Sequence, residues 1–338
     1  MSRIYDALQR AESERTTERP ETENEISEAT LPERGSPERA TASRSVVDRP
    51  VLQRTVKERF AAAASVAESA PASPFAERYA SPTEAHVGLD LLDFNKIVAR
   101  PWSLSLKQLP ALLERGSAVE QFRSLRSRLF ETRDIKPLKS LLVTSAMPQE
   151  GKSFVSTNLA LSLARHKNSK VLLIDGDMRR YTVHQLLGCD SQPGLADYLA
   201  GKASAVEVMQ RPEVPNEITE VAKPMLANLT FIAGGNGGDK AADLSGSPRF
   251  GELLQLVAPY FDWIIIDSSP VLPVSDAVNL ARSCDGVLLV AREGVTKFQV
   301  AQRAQSELKA ANLLGFVLNA VQDAPEVGSY YGYEAAAH

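Results

Sequence analysis

The chain has 338 residues, which is long enough for about two domains of average size. Its 38 lysines and arginines against 42 aspartates and glutamates give a net charge of −4, which argues against a chain that binds nucleic acid through bulk charge. Two cysteines, and no apolar run near the ~20 residues of a spanning helix, argue against disulfide-rich, zinc-binding and integral membrane proteins and favour a cytoplasmic location.

Residues 1–115 differ in composition from the rest of the chain. They are rich in Glu, Arg, Ser, Thr, Ala and Pro and contain few aliphatic residues. Such a segment buries too little apolar surface to offset its ordering entropy, so we predict a mostly disordered region or linker. Residues 2–12 are the exception, because small and aliphatic side chains fall on one helical face there. They predict a short amphipathic helix, either a hook for a partner or a frayed helical end.

Residues 116–322 alternate between short aliphatic runs and helical patterns. The runs are KSLLVTSA, KVLLID, LTFIA, DWIIID, GVLLVA and GFVLNA, and helix-like segments such as KSFVSTNLALSLARH lie between them. Continuous aliphatic runs are typical of strands buried on both faces. The alternation predicts an α/β domain with a mostly parallel, doubly wound sheet and helices on both faces. Residues 323–338 are predicted to form a flexible tail that contains tyrosines.

The segment from Ala146 to Ser153 fits the P-loop template, with Ala in place of the first Gly. It follows a predicted strand and opens a predicted helix, which is the context that the template requires. Backbone N–H groups of such a loop bind phosphate oxygens, Lys152 places a charge on the β- and γ-phosphates, and the Ser153 hydroxyl ligates Mg²⁺. The fold is therefore predicted to be that of a P-loop NTPase. The predicted nucleotide-binding residues are Ala146, Gln149, Glu150, Gly151, Lys152, Ser153 and Phe154.

Acidic residues follow two of the predicted strands. Asp175 and Asp177 come at the end of KVLLID and just after it, and Asp267 ends DWIIID. Ligands of open α/β sheets bind outside the carboxyl ends of the strands, so these carboxylates are expected to converge on the nucleotide. The predicted metal ligands are Ser153, Asp175, Asp177 and Asp267.

These motifs together resemble the bacterial tyrosine kinases of capsule and exopolysaccharide synthesis, from about Ser117 to the C-terminus. The resemblance rests on a P-x-E-G-K-S loop at 148–153, a D-x-D-x-R motif at 175–179, and D-S-S-P at 267–270. A C-terminal tyrosine cluster completes it. The cluster consists of Tyr330, Tyr331 and Tyr333.

The resemblance implies transfer of the γ-phosphoryl group of ATP, with Mg²⁺, to the tail tyrosines of neighbouring subunits. It gives catalytic roles to Lys152, Asp175, Asp177 and Arg179, and it leaves open which aspartate accepts the tyrosine proton. Arg179 is alternatively an ordinary solvated arginine. Related P-loop ATPases place an adenine contact where Asn319 stands, although an Asn at a strand end is also a common turn former.

Glu120, Arg123 and Arg126 share one face of a predicted helix, in the E-x-x-R-x-x-R pattern that the family associates with ring assembly. The alternative is a solvated helix face. The resemblance also implies a separate membrane-bound polysaccharide co-polymerase that activates the kinase and recruits it peripherally to the inner membrane.

The sequence departs from the family pattern at two places. Gln149 stands where the family usually has Gly, and GNGGDKAADLSG replaces a proline-containing stretch. Two rival functions remain open, a ParA/MinD-like ATPase switch and a non-catalytic nucleotide-binding assembly module. The switch usually has a lysine where Met147 stands here. A GTPase is disfavoured because no N-K-x-D motif is present.

Overall fold

The computed structural model describes residues 96–166, 168–214 and 218–321. The predicted helix at 2–12 and the predicted tail at 323–338 lie outside these ranges. Eight strands of one sheet lie within the described ranges. They are β1 (Val98–Arg100), β2 (Ser140–Ser145), β3 (Val171–Asp175), β4 (Met209–Pro212), β5 (Leu229–Ile232), β6 (Trp263–Asp267), β7 (Gly286–Arg292) and β8 (Leu313–Asn319).

Helices connect these strands and cover both faces of the sheet. They are α1 (Ser117–Ile135), α2 (Lys152–Ala164), α3 (Val183–Leu187), α4 (Leu195–Leu199), α5 (Ala205–Val208), α6 (Ala222–Ala227), α7 (Ala241–Ser245), α8 (Pro248–Val257), α9 (Asp276–Ala281) and α10 (Phe298–Glu307). None of the helices in the described ranges combines the length and apolar composition needed to cross a membrane.

The strand order is β1-β4-β5-β3-β6-β2-β7-β8. Every neighbouring pair is parallel except β4 and β5, which are antiparallel. The predicted mostly parallel sheet is therefore confirmed. The six predicted strands are present, whereas β1 and the antiparallel β4 were not predicted. Both are short, and their sequences, VAR and MQRP, lack the continuous aliphatic run that marks the other strands.

Alternate residues of the central strands enter two separate cores. Leu172 and Ile264 belong to one apolar cluster, and their chain neighbours Leu173 and Ile265 belong to the other. Successive side chains of a strand point to opposite faces, so the sheet has a packed core on each side. This arrangement is the doubly wound architecture that the sequence predicted.

The first strand of the sheet, β1, precedes residue 116, at which the sequence analysis starts the domain. β1 joins the sheet beside β4, and Trp102 is buried edge-on against Phe231 with ring centroids 6.1 Å apart. The backbone N–H of Ala111 donates to Oδ1 of Asn158 in α2 at 3.1 Å. Residues from β1 to Ala111 therefore belong to the fold, although their surroundings in sequence resemble a linker.

The carboxyl ends of β2, β3 and β6 meet at one edge of the sheet. Asp175 and Asp267 end neighbouring strands in direct register, and Val143 of β2 is level with Asp267. β2 lies between β6 and β7, so β3 to β6 are added on one side of it and β7 and β8 on the other. Such a switch point creates the crevice in which α/β sheets bind their ligands.

Candidate nucleotide and phosphoryl-transfer site

A turn between β2 and α2 forms the predicted P-loop. Gly151 precedes the first residue of α2 and adopts φ +94°, and Gln149 adopts φ +66°. Both values lie in the left-handed region, which glycine enters freely and which costs an L residue roughly 1–2 kcal/mol. Gln149, at the position where the resembling family has Gly, therefore holds this conformation under strain.

Hydrogen bonds from neighbouring residues hold the loop in this conformation despite the strain. The buried carboxylate of Glu150 accepts the backbone N–H of Met147 at 2.9 Å and also the hydroxyl of Thr296. The Asn319 side-chain amide donates to the carbonyl of Glu150 at 3.0 Å, and Arg292 donates to the carbonyl of Gln149 at 3.3 Å. β7, β8 and the residues after β7 thus support the shape of the loop.

The loop opens into a cavity of about 550 Å³. Most of the predicted loop residues line it, together with residues that follow β3 and β6. The lining consists of Pro148, Gln149, Gly151, Lys152, Ser153, Phe154, Asp177, Arg179, Arg180, Thr182, Ser269, Pro270, Pro273 and Val274. The predicted site residues Ala146, Glu150, Asp175, Asp267 and Asn319 are not among these lining residues.

A chain of polar contacts crosses the floor of this cavity. Lys152 Nζ lies 3.0 Å from Asp177 Oδ2 and donates to Ser153 Oγ at 3.3 Å. The Ser153 hydroxyl in turn donates to Asp267 Oδ2 at 2.6 Å. Thr182, which the sequence analysis did not single out, donates to Ser153 Oγ at 3.3 Å. The predicted lysine, serine and two of the predicted aspartates therefore form one connected group.

Asp175 has a different environment from Asp177. It is fully buried, and its two carboxylate oxygens accept the backbone N–H groups of Asp177 and Val183 at 3.1 and 3.2 Å. Burial, followed by the nearby charge of Asp267, raises the pKa of Asp175 well above its ordinary value. Asp175 therefore organises the turn after β3, whereas Asp177 faces the cavity.

For both Asp267 and Lys152, burial and the neighbouring charges of opposite sign shift the pKa in opposite directions. Burial raises the pKa of Asp267, against the lowering effects of the Lys152 charge and the Ser153 hydroxyl. Burial alone would lower the pKa of Lys152, but the carboxylates of Asp267, Asp177 and Asp175 outweigh it and raise that pKa. Lys152 therefore remains a cation at neutral pH and can attract an anionic ligand.

The donor set fits a divalent cation that arrives with a phosphorylated ligand. Asp267 Oδ1 is buried without a hydrogen-bond partner in the described part of the chain, and Ser153 Oγ lies beside the same carboxylate. No group of three His, Cys, Asp or Glu side chains in the described ranges is arranged to hold a metal ion. Mg²⁺ typically uses one or two protein oxygens together with water and substrate phosphates, so the set fits Mg²⁺ bound with a nucleotide.

Arg179 is held by a residue that the sequence analysis missed. Its Nε donates to Asp276 Oδ2 at 2.7 Å and its Nη2 to Oδ1 at 3.4 Å, so the pair is bidentate. Asp276 is 1% exposed and begins α9, whereas a third of the Arg179 side chain is exposed to the cavity side. No sequence motif marks Asp276, because its partner Arg179 lies 97 residues away in the chain.

This asymmetric burial predicts unequal effects on stability. Arg179→Ala leaves the Asp276 carboxylate buried and unpaired, so we expect a loss of about 3 kcal/mol in the free energy of unfolding. Asp276→Ala leaves an arginine that water can reach, so a loss of about 1 kcal/mol or less from the ion pair is expected. Urea unfolding of both variants measures this difference, with Arg180→Ala as the control for an exposed neighbouring arginine. Equal losses for Arg179→Ala and Asp276→Ala would contradict the assignment.

The predicted interface residues lie on α1, away from the cavity lining. Arg123 pairs with Glu120 at 2.5 Å, and Arg126 donates to the carbonyl of Ser162 in α2 at 2.7 Å. Burial, then the charges of Arg165 and Arg123, lower the pKa of Arg126. Arg126 therefore links α1 to α2 through this hydrogen bond. Arg165 adds a second positive charge near it. The predicted acceptors Tyr330, Tyr331 and Tyr333 lie outside the described residues.

Comparison with known proteins agrees with this geometry. A family model described as an AAA domain matches residues 149–297. The tyrosine-protein kinase ptk of Acinetobacter johnsonii is 32% identical over 221 residues, and wzc of Salmonella typhimurium is 34% identical over 220 residues. Each alignment covers 64% of this chain but only 28% of the relative. The solved kinase domain of Escherichia coli tyrosine kinase ETK matches with a TM-score of 0.55 and 33% identity, covering 62% of this chain and 78% of that domain.

The fold and the loop define a P-loop nucleotide-binding domain of the doubly wound α/β class. The identity to the ETK kinase domain, over most of that domain, narrows the class to one family. The chain belongs to the bacterial tyrosine kinases.

Proposed function

We propose that this chain is an ATP-dependent protein tyrosine autokinase that phosphorylates the C-terminal tyrosines of neighbouring copies. The observation that carries the proposal is the connected group of Lys152, Asp177, Ser153 and Asp267 at a phosphate-binding loop. The names of these relatives, all tyrosine kinases, support the reaction class. The resemblance of the motifs to kinases of capsule and exopolysaccharide synthesis supports a role in making or exporting such polymers.

The loop residues would bind the phosphates of ATP at the start of α2. Backbone N–H groups at a helix N-terminus attract anions, and Lys152 adds a full positive charge beside them. Ser153 and Asp267 would hold Mg²⁺, which supplies charge neutralisation for phosphoryl transfer when bound. Lys152 Nζ lies 3.0 Å from Asp177, and it would turn from that carboxylate towards the phosphates when the nucleotide binds.

The movement of Lys152 away from Asp177 would give Asp175 and Asp177 different roles. Asp177 lines the cavity, and its Oδ1 accepts the backbone N–H of Arg180 at 3.0 Å. Once Lys152 has moved, the Oδ2 of Asp177 would be free to accept the proton of an incoming tyrosine hydroxyl. Asp175 has both oxygens engaged by backbone N–H groups and is fully buried. We therefore assign the general base to Asp177 and a supporting role in shaping the turn to Asp175. The sequence analysis left open which of the two aspartates accepts the tyrosine proton, and this assignment gives that role to Asp177.

Self-association completes the proposal, because the acceptor tail belongs to another copy. A ring-like homo-oligomer would use Glu120, Arg123 and Arg126 of α1, and residues 323–338 would form the acceptor tail. A separate membrane-bound co-polymerase would activate the kinase and recruit it to the inner membrane. Sedimentation of the full chain with Mg²⁺ and ATP tests self-association, and a protein that stays monomeric at high concentration would contradict the ring.

Replacing Tyr330, Tyr331 and Tyr333 together by Phe is expected to remove most of the phosphotyrosine that forms during incubation with Mg²⁺ and ATP. The acceptor hydroxyls are lost, whereas the nucleotide site is unchanged. Anti-phosphotyrosine blotting and mass spectrometry of the C-terminal peptide measure the effect. Tyr260→Phe, a substitution of the same kind inside the described fold, is the control.

The outcomes of this assay separate the rival functions. Undiminished phosphotyrosine in the triple variant would contradict the acceptor assignment. ATP hydrolysis by the wild-type chain without any phosphotyrosine would instead favour a ParA/MinD-like switch. Neither hydrolysis nor phosphotyrosine, even with nucleotide bound, would favour a non-catalytic assembly module.

A further inference from the structure

Two adjacent serines that follow β6 differ in the environment of their hydroxyl groups. The Ser268 hydroxyl donates to the carbonyl of Val143 at 3.0 Å, so it is satisfied inside the sheet. The Ser269 hydroxyl is buried and has no hydrogen-bond partner in the part of the chain that the structure describes. Ser269 is 1% exposed, and it lines the 550 Å³ cavity, whereas Ser268 does not.

The backbone around Ser269 is fixed by neighbouring strands. Its carbonyl accepts the hydroxyl of Thr144 at 2.8 Å, and two residues later Val271 N–H donates to the carbonyl of Ser145 at 2.8 Å. The backbone of Ser269 is therefore held in place where this residue lines the cavity. A buried polar group without a partner costs free energy, and at the wall of a cavity a bound ligand can supply the missing partner.

The position of Ser269 indicates which part of a nucleotide it faces. In the P-loop template the lysine contacts the β- and γ-phosphates and the serine ligates the metal that bridges them. Here both of those side chains contact carboxylates at the ends of β3 and β6. Ser269 follows Asp267 by two residues and lines the same cavity as Lys152 and Ser153.

We propose that the Ser269 hydroxyl donates a hydrogen bond to the terminal phosphoryl group of the bound nucleotide and so favours a triphosphate over a diphosphate. This inference rests on the proposed function, because it takes ATP as the ligand of the cavity. It adds to the binding site a residue of the D-S-S-P motif to which the sequence analysis gave no role. The bond is made only when the third phosphate is present.

Titration of the full-length chain with fluorescent derivatives of a non-hydrolysable ATP analogue and of ADP, both with Mg²⁺, tests the inference without any measurement of activity. Ser269→Ala is expected to raise the Kd of the ATP analogue at least about tenfold, as for a lost hydrogen bond to a charged group. The Kd of ADP should stay within about twofold. Ser268→Ala, the matched control, should change the ratio of the two Kd values little.

Thermal unfolding without nucleotide gives an independent comparison of the same variants. Ser269→Ala removes an unsatisfied hydroxyl, so its melting temperature should equal or exceed that of the wild type. Ser268→Ala loses a bond to Val143, so its melting temperature should fall. A lower melting temperature for Ser269→Ala would show that its hydroxyl is already satisfied and would overturn the inference.

The binding outcomes distinguish this inference from the function on which it rests. An unchanged Kd of the ATP analogue in Ser269→Ala, or equal weakening of both nucleotides, would overturn the inference alone. Failure of the wild-type chain to bind either nucleotide would overturn the proposed function and the inference with it.

Discussion

Lys152→Met is expected to reduce the rate of tyrosine phosphorylation by about 10²–10³-fold, the range found when one charge-stabilising group is removed from an active site. The Lys152 ammonium is 13% exposed and is the cation of the connected group at the cavity floor. Without it, nothing in that connected group offsets the charge that develops during phosphoryl transfer. A time course of phosphotyrosine formation with Mg²⁺ and ATP measures the change.

Stability must be followed in the same experiment, because Lys152 also compensates three neighbouring carboxylates. Lys202→Met is a suitable control, since Lys202 is exposed and the substitution is chemically identical. Thermal unfolding of both variants separates a lost fold from a lost charge. Phosphorylation at the wild-type rate in a folded Lys152→Met protein would contradict the proposed role of this lysine.

Gly151→Ala is the substitution expected to damage the nucleotide site most severely. A Cβ at residue 151 would lie 2.0 Å from the side-chain nitrogen of Asn319, and the residue would keep φ +94°. Backbone strain of roughly 1–2 kcal/mol and the lost hydrogen bond from Asn319 to Glu150, about 1 kcal/mol, together predict a loss of about 2–3 kcal/mol in the free energy of unfolding. Urea unfolding measures this loss, and we expect nucleotide binding to disappear with the loop conformation.

Two further variants separate the clash from the backbone strain. Gly201 has φ +74°, and no atom of the described residues lies within 4 Å of the place that a Cβ would occupy there, so Gly201→Ala incurs only the strain. In an Asn319→Ala background the steric conflict at residue 151 is relieved, so Gly151→Ala should cost about 1 kcal/mol less there than in the wild type. An equal cost in both backgrounds would show that Asn319 does not support the loop.

The sequence was sufficient for six of the eight described strands and for the P-loop residues that line the cavity. Aliphatic runs such as WIIID identify buried strands, and parallel strands place Asp267 at the same edge as the loop residues. The P-loop motif predicted a helix directly after the loop, and Lys152 and Ser153 are the first two residues of α2. These features depend on local pattern and on general rules of α/β topology.

Contacts between distant parts of the chain were not predictable in the same way. Glu150 and Asn319 support the loop from behind, although the motif suggested nucleotide contacts for both. Asp276 holds Arg179 without any motif in the sequence to mark it. Ser269 lies in the D-S-S-P motif, but the motif did not show that its hydroxyl is buried without a partner among the described residues. Hydrophobic periodicity predicts which residues are buried. It does not predict which buried polar side chains have a hydrogen-bond partner in the fold and which can bind a ligand.

A crystal structure of the chain with Mg²⁺ and a non-hydrolysable ATP analogue tests the central claim most directly. We predict a triphosphate in the cavity at the start of α2, with Lys152 Nζ moved from Asp177 to the phosphates and the Ser269 hydroxyl about 3 Å from the terminal phosphate. A cavity without nucleotide, in which the 3.0 Å contact between Lys152 and Asp177 persists at saturating ligand, would contradict the account.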